Sequence, residues 1–279
     1  MRRDEAHDAS GGAGRLRVVV FTGGAVLEDD CLAFIARLEA EPAIELVGVF
    51  CESAATGFSG VIGDLWARRR WLAPPLLAAR ALRRIVRSVA APAREADRRR
   101  TLRRLGARLH VVADMHARSV LSRIAELKPD LGAVYGGPIL RPELFRMPVH
   151  GTLGIHHGRL PDYRGKKTTF WAIYNNEDSV GVAIQRIGAG LDRGDLLRDA
   201  VLPVGRSPLP RVVRRLERLG LDLYLEAVLS IHQRTAVFRP QPAGGVLYKD
   251  PRGGDIARFW LKDLRRIVGR RRHARSLSR

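Results

Sequence analysis

The chain is short of cysteine, aromatic side chains and acid. Two cysteines, Cys31 and Cys51, are too few for a disulfide framework or a thiolate zinc site, which suits a reducing cytoplasm. The eight histidines show no ligand spacing, so no metal is expected. Apolar residues make up 46% of the sequence, but no run approaches the roughly 20 residues that cross a bilayer. The first 15 residues begin Arg2-Arg3 and turn acidic and glycine-rich without an apolar h-region, so they are expected to be a disordered tail and not a secretory leader. Zinc-finger spacing, RNA-binding aromatic motifs and a Walker loop are missing, and the turn Thr22-Gly23-Gly24 is not a GxGxxG fingerprint.

What is present in excess is base. Lysine and arginine together number 49 against 29 acids, a formal charge of +20, and nearly all of the base is arginine. Such a field attracts nucleotides, phosphosugars, RNA or acidic lipid without choosing among them.

The hydrophobic pattern predicts an α/β core over residues 16–204. Leu16–Phe21 reads as a strand, Leu27–Leu38 as a helix and Ile44–Phe50 as a second strand, the order of a parallel sheet. An Arg-rich helical insertion is expected at about 58–104, broken at Pro74-Pro75. Its piece Leu76–Val89 has an apolar stripe with a basic flank, a form that lies on the anionic inner face of a membrane; the ordinary alternative is a helix packed on the sheet with its arginines in water. Further strands are expected at His110–Ala113, Asp130–Tyr135, Thr152–His156, Gly181–Ile187 and Leu196–Val204, with helices at Ser119–Leu127 and Thr168–Tyr174 and a turn at Pro142–Phe145. Residues 205–279 read as a helical extension, a Gly/Pro-rich surface arm or cap over Gln241–Asp255, and a basic tail at Arg270-Arg271-Arg272. The C-terminal helices or the Val201–Pro203 strand offer a face for a homodimer.

Chemistry concentrates between Gly151 and Asp195. Two adjacent histidines occupy the loop His156-His157-Gly158-Arg159-Leu160-Pro161, and an acid sits in the turn Leu191-Asp192-Arg193-Gly194-Asp195. A carboxylate that meets an imidazole raises its basicity and holds its orientation, as proton transfer near neutral pH requires. His156, at the end of a strand, and Asp192, after the next, are delivered to one rim of the sheet, where ligands of parallel α/β folds bind. A hydrogen-bonded loop histidine and a turn-capping aspartate are the plain alternatives.

The motifs Val134-Tyr135-Gly136, Gly151-Thr152-Leu153-Gly154-Ile155-His156, Leu160-Pro161-Asp162-Tyr163-Arg164-Gly165, Trp171-Ala172-Ile173 and Gly190-Leu191-Asp192-Arg193-Gly194-Asp195-Leu196-Leu197 resemble the folate-dependent formyltransferases. That family includes enzymes acting on methionyl-tRNA, glycinamide ribonucleotide and sugar nucleotides. The resemblance implies a Rossmann-like fold with a mostly parallel, twisted sheet flanked by helices, and formyl transfer from 10-formyltetrahydrofolate to an amine. It makes His156 the base and Asp192 its partner. It places the folate beside Gly136, Gly137, Pro138, Ile139 and Leu140 and beside Gly188, Ala189 and Gly190. Arg159, Tyr163, Arg164, Lys166 and Lys167 lie where an acceptor would enter.

The sequence departs from the family at three points. The family's Asn is Gly154, its loop Ser is Gly158, and its frequent second His is Gln185. Losing one oxyanion donor typically costs about 100-fold in rate, so an accessory role falls to His157 or Gln185, although strand alternation turns His157 away. The departures leave open a slow or rearranged enzyme, another acyl donor, a binding protein that has lost the transfer, and a formyltetrahydrofolate hydrolase. Because only a short, helical C-terminal region follows the strands, initiator tRNA is not expected as a partner. A small anionic amine is, with a nucleotide-linked amino sugar as first choice.

Overall fold

The computed structural model describes residues 14–24, 27, 29–53 and 92–274. Strand β1 (Leu16–Gly23) buries Val18, Val19, Val20 and Phe21 completely, as a central strand covered on both faces must. Helix α1 (Asp29–Ala40) opens on two acids, which suit the positive end of its dipole, and buries Phe34, Ile35 and Leu38. Strand β2 (Ile44–Glu52) pairs parallel to β1. Of the predicted insertion, residues 58–91, including Leu76–Val89, lie outside the described residues, and the remainder forms helix α2 (Pro92–Leu105). Strand β3 (Leu109–Val112), helix α3 (Arg118–Glu126), strand β4 (Leu131–Val134) and strand β5 (Thr152–His156) complete a parallel set. The predicted turn at Pro142 is a single helical turn, α4 (Pro142–Phe145), with proline at its start where no N–H is needed.

Strand β6 (Tyr163–Gly165) and helix α5 (Thr168–Tyr174) precede β7 (Ser179–Arg186) and β8 (Leu196–Pro203), both of which run antiparallel to their neighbours. The seven-stranded order is β3-β2-β1-β4-β5-β7-β8. Helix α6 (Leu209–His232) packs into the largest core cluster through Leu221, Tyr224, Ala227 and Val228. The Tyr224 ring stacks on Phe34 at 4.4 Å and its hydroxyl donates to the Leu153 carbonyl (2.7 Å), which ties the helix to the strand bearing His156.

The arm expected at Gln241–Asp255 contains a strand, β9 (Val246–Tyr248), which pairs parallel to β6 in a separate two-stranded sheet. The arginines expected in a basic tail fall within helix α7 (Gly253–Ala274), which docks through Phe259 on Phe170. Among the described residues no helix is long and apolar enough to cross a membrane.

Candidate active site

Residues 152, 154 and 156 of β5 share one face, so the strand carries His156 to its carboxyl end with Gly154 beside it. His156 is buried at 7% exposure. Its Nδ1 lies 3.5 Å from Oδ1 of Asp192, and its Nε2 lies 2.7 Å from the carbonyl oxygen of Tyr163. A carbonyl can only accept, so Nε2 carries the hydrogen and the Nδ1 lone pair of the neutral ring faces Asp192. Burial lowers the His156 pKa, against the opposing pull of Asp192 and the Tyr163 carbonyl. The ring is thereby kept neutral and able to take a proton.

Asp192 sits at a left-handed φ of 52°, a conformation that aspartate tolerates better than most residues. Its Oδ2 accepts from the Gly165 N–H (2.8 Å) and its Oδ1 from Nε2 of Gln185 (3.2 Å). Donors from β6 and β7 therefore fix the carboxylate before any proton moves.

The glycine departures are matched by their surroundings. A Cβ on Gly154 would lie 2.5 Å from Cδ1 of Ile187, so Ile187 occupies the space of the family's asparagine. On Gly158 it would lie 2.5 Å from both His156 Nε2 and the Tyr163 oxygen, which leaves no room for the family's serine.

His157, expected as an accessory donor, is corrected: it turns toward α6, where its Nε2 lies 3.1 Å from Glu217. Strand alternation is the reason. Glu217 also accepts from the Tyr135 hydroxyl (2.8 Å). Burial pushes the Glu217 pKa up, but these two donors outweigh it and hold the carboxyl below its usual value.

The predicted entrance residues divide by partner. Arg159 is paired with Asp162 (3.0 Å) and Glu177 (3.4 Å), and Lys166 with Asp250 (3.1 Å). Lys167 adopts a left-handed conformation at the start of α5. The Tyr163 hydroxyl donates to Glu177 (2.8 Å), and burial together with that carboxylate pushes its pKa up to about 12. Arg164 is buried at 8% exposure, its guanidinium donates to the Gly245 carbonyl (3.1 Å), and its Nε has no hydrogen-bond partner among the described residues.

Residues 241–250 contribute what the sequence did not reveal. This strap crosses the His156 loop: the Val246 N–H donates to the Asp162 carbonyl, Lys166 N–H to the Tyr248 carbonyl, and the Trp171 indole to the Lys249 carbonyl. Gln241 donates to Gln185 Oε1 (3.0 Å) and to the Gly194 carbonyl (2.6 Å). Gly/Pro-rich composition predicts an arm or cap here, but a three-residue strand is too short for periodicity to expose.

A cavity of about 430 Å³ is bounded by Phe145, Arg146, Pro148, Val149, His150, Gly151, Arg186, Ile187 and Gly188. That volume falls within the range of small-molecule sites. Gly188 is the one predicted folate contact on its wall. Leu140 is buried in the cluster that holds Phe145 and Ile187, whereas Ile139 stands exposed. Gly136, Gly137, Ala189 and Gly190 are exposed on two loops, and the Gly136 carbonyl is taken by the Gly23 N–H and the Thr22 hydroxyl. Neither His156 nor Asp192 lines the cavity, and Ile187 stands between it and Gly154. At the ends of β2 and β3, ligand atoms of Glu52, Asp114 and His116 lie within 4.8 Å of one another, but the Arg141 N–H donates to His116 Nε2 and so leaves the ring proton on Nδ1.

A buried histidine beside an aspartate, at the end of a strand of a mostly parallel sheet, is a site for moving a proton, and comparison with known proteins gives its family. The formyl transferase family profile matches residues 89–228, half of the chain, and the chain belongs to that family. The methionyl-tRNA formyltransferase of Variovorax paradoxus is 34% identical over 122 residues, 43% of this chain and 38% of that protein. That of Geobacter metallireducens is 38% identical over 92 residues, 33% of this chain and 30% of that protein. The matched segment thus spans about two fifths or less of these relatives. In fold, the chain resembles glycinamide ribonucleotide transformylase 1 from Symbiobacterium toebii (TM-score 0.57, 16% identity, covering 86% of this chain and 100% of that one). It also resembles a sugar N-formyltransferase from a Shewanella species (TM-score 0.57, 14% identity, 89% and 88%).

The family's formyl donor is formyltetrahydrofolate, and the cavity, which mixes apolar Phe145 and Ile187 with polar Arg146, His150 and Arg186, has the size for a folate ring. The exclusion of initiator tRNA is overturned. It was drawn from the C-terminal region, yet the curated relatives that this chain matches are themselves methionyl-tRNA formyltransferases. The match covers only the segment they share, so the form of the C-terminal region does not decide the acceptor.

Proposed function

We propose that this chain transfers a formyl group from 10-formyltetrahydrofolate to the amine of an anionic, nucleotide-linked amino sugar. The observation that carries the reading is the His156–Asp192 pair, in which a buried neutral imidazole presents its Nδ1 lone pair beside a fixed carboxylate. The donor supplies an electrophilic formyl carbon: the amine nitrogen bonds to it, its bond to folate N10 breaks, and the proton shed by the amine is taken up. His156 takes that proton at Nδ1, Asp192 stabilises the imidazolium that results, and the proton passes to folate N10 as that nitrogen leaves. Gly136–Leu140 and Gly188–Gly190 would hold the folate, with Leu140, Phe145 and Ile187 as its apolar wall. Arg164 supports an anionic acceptor, because its buried guanidinium has no carboxylate partner among the described residues.

A second reading takes the amine of a methionyl-tRNA as acceptor. The identity to methionyl-tRNA formyltransferases favours it. Both readings use the same base and the same donor.

The test supplies 10-formyltetrahydrofolate with amino-sugar nucleotides, glycinamide ribonucleotide or methionyl-tRNA, in parallel with His156→Ala. Formylation of an amino-sugar nucleotide that disappears in the variant is expected. Formylation of methionyl-tRNA alone selects the second reading, and consumption of the donor without any amine replaces both with a hydrolase. A wild-type chain that binds no reduced folate ends the transfer proposal.

A further inference from the structure

Formyl transfer places negative charge on the formyl oxygen, and such a site needs an N–H aimed at it. The family's asparagine position is Gly154, with Ile187 filling the space above it. Gly154 and Gln185 face each other in the antiparallel β5–β7 ladder, so the two positions share one side of the sheet. The carboxamide missing from one strand is thus present on the other. Gln185 is buried at 3% exposure and its Nε2 lies 3.2 Å from Asp192, in the same group as the His156 base.

The direction of this amide is dictated by its neighbours. At one end the Asp192 carboxylate, which also takes the Gly165 N–H, can only accept, so Gln185 must present nitrogen to it. Its oxygen then faces Gln241, which must present nitrogen in turn. The Gln241 nitrogen also meets the Gly194 carbonyl, a second group that can only accept, and the chain closes with no freedom to flip. Gln185 Nε2 bears two hydrogens. One goes to Asp192, and the other has no acceptor among the described residues.

We infer that Gln185 donates this second N–H to the oxygen of the formyl group, replacing from β7 the amide that β5 lacks, and that Gln241 of the strap is the positioning residue that aims it. The inference rests on the formyl-transfer reading. As the amine nitrogen bonds to the formyl carbon, the carbonyl electron pair moves onto the oxygen, where the Gln185 N–H meets it. The pair returns as the bond to folate N10 breaks, and the amine's proton, held meanwhile on His156, goes to N10.

Two measurements on the full chain test this. Gln185→Met keeps the shape of the side chain and removes its donors and its acceptor; kcat is expected to fall roughly 100-fold, with KM within about threefold and the chain still folded. Gln241→Leu is expected to lower kcat about tenfold through misdirection of the amide. The second readout is independent of turnover: the side-chain ¹⁵N–¹H₂ signals of Gln185, assigned by their loss in Gln185→Met, are followed without any amine present. They should shift on adding 10-formyltetrahydrofolate and not on adding tetrahydrofolate, and Gln241→Leu should erase that difference. Equal responses to the two folates in the wild type, or a Gln185→Met variant with kcat within threefold of wild type, overturns the inference while formyl transfer stands. Should Gln185→Met fail to fold, loss of the same signals in the isosteric Gln185→Glu supplies the assignment, and the wild-type spectra decide. A wild-type chain that binds neither folate removes both the inference and the reading beneath it.

Discussion

From β3 across to β5 the sheet is parallel and held by apolar side chains packed on its faces, whereas from β5 to β9 an apolar cluster around Phe170, Val180, Val182 and Phe259 is supplemented by polar side chains reaching backbone and one another. In the first region Phe21, Phe34, Phe50 and Leu131 are wholly buried, and the ring stack of Phe34, Tyr135 and Tyr224 fills the space beneath α1 and α6. In the second, Asp192, Gln185 and Gln241 form a continuous hydrogen-bonded series, and the strap is pinned by β6 and Trp171. Apolar packing tolerates small displacements. A polar series does not, since each hydrogen bond fails within a few tenths of an ångström. The parallel half therefore sets the platform, and the antiparallel half with its strap sets the geometry of the candidate site.

The sharpest way to break this contrast is to damage the platform. Phe34→Ala should cost about 3 to 5 kcal/mol of stability by leaving a cavity against Tyr135 and Tyr224. Denaturant unfolding measures the loss, and the protein that remains folded should keep its kcat. A loss below about 1 kcal/mol would show that the stack is not what holds α6 to the sheet.

On the other side of the contrast, His156→Ala should lower kcat about 1000-fold, equivalent to about 4 kcal/mol, in formyl transfer to the active acceptor. The melting temperature should change far less than in Phe34→Ala. Retention of a tenth of the wild-type rate would remove His156 as the base.

A smaller effect is expected from the strap. Gly245 has a φ of 75°, and a Cβ there would lie 1.7 Å from the Pro161 oxygen, so Gly245→Ala cannot seat β9 against the His156 loop. The strain should cost about 1 to 3 kcal/mol. Hydrogen exchange should quicken at the β6 and β9 amides and stay unchanged in β1 and β2; uniform quickening would mean that the two regions unfold as one.

The smallest effect is a pH dependence of stability. The folded-state pKa of His156 is lowered from 6.5 by burial, so the unfolded chain binds more protons as pH falls below about 6.5. The contribution of the neutral ring is fully present above that pH. It is lost as pH falls, by at most about 1.4 kcal/mol per unit, until the folded ring itself titrates. Wild type should lose stability faster than His156→Gln below pH 6.5, and parallel curves would show that the ring is not held neutral by the fold.

Much of this architecture was legible in the residues. Val18–Phe21 and Ile44–Phe50 are apolar runs bounded by turn formers, and Asp29–Ala40 repeats at helical spacing, so the strand–helix–strand unit follows from local pattern. His156 stood out because it ends a predicted strand, and Asp192 because it sits in the glycine-flanked turn that the following predicted strand feeds. The orientation of His157 toward Glu217 follows from alternation, but the identity of its partner does not, since Glu217 comes from a helix 60 residues on. Arg159 and Lys166 read as free base in a sequence; their acids Asp162, Glu177 and Asp250 become partners only when loops converge.

By itself the sequence determined the class of fold, the strands that end at the candidate site and the two side chains from which its chemistry was argued, because these depend on period, turn chemistry and motif order. Only the tertiary structure decided what stands where the asparagine is missing. Whether a glycine leaves a void, is filled by Ile187, or faces a carboxamide on the next strand depends on ladder register and on a strap from the far end of the chain, which local pattern does not encode.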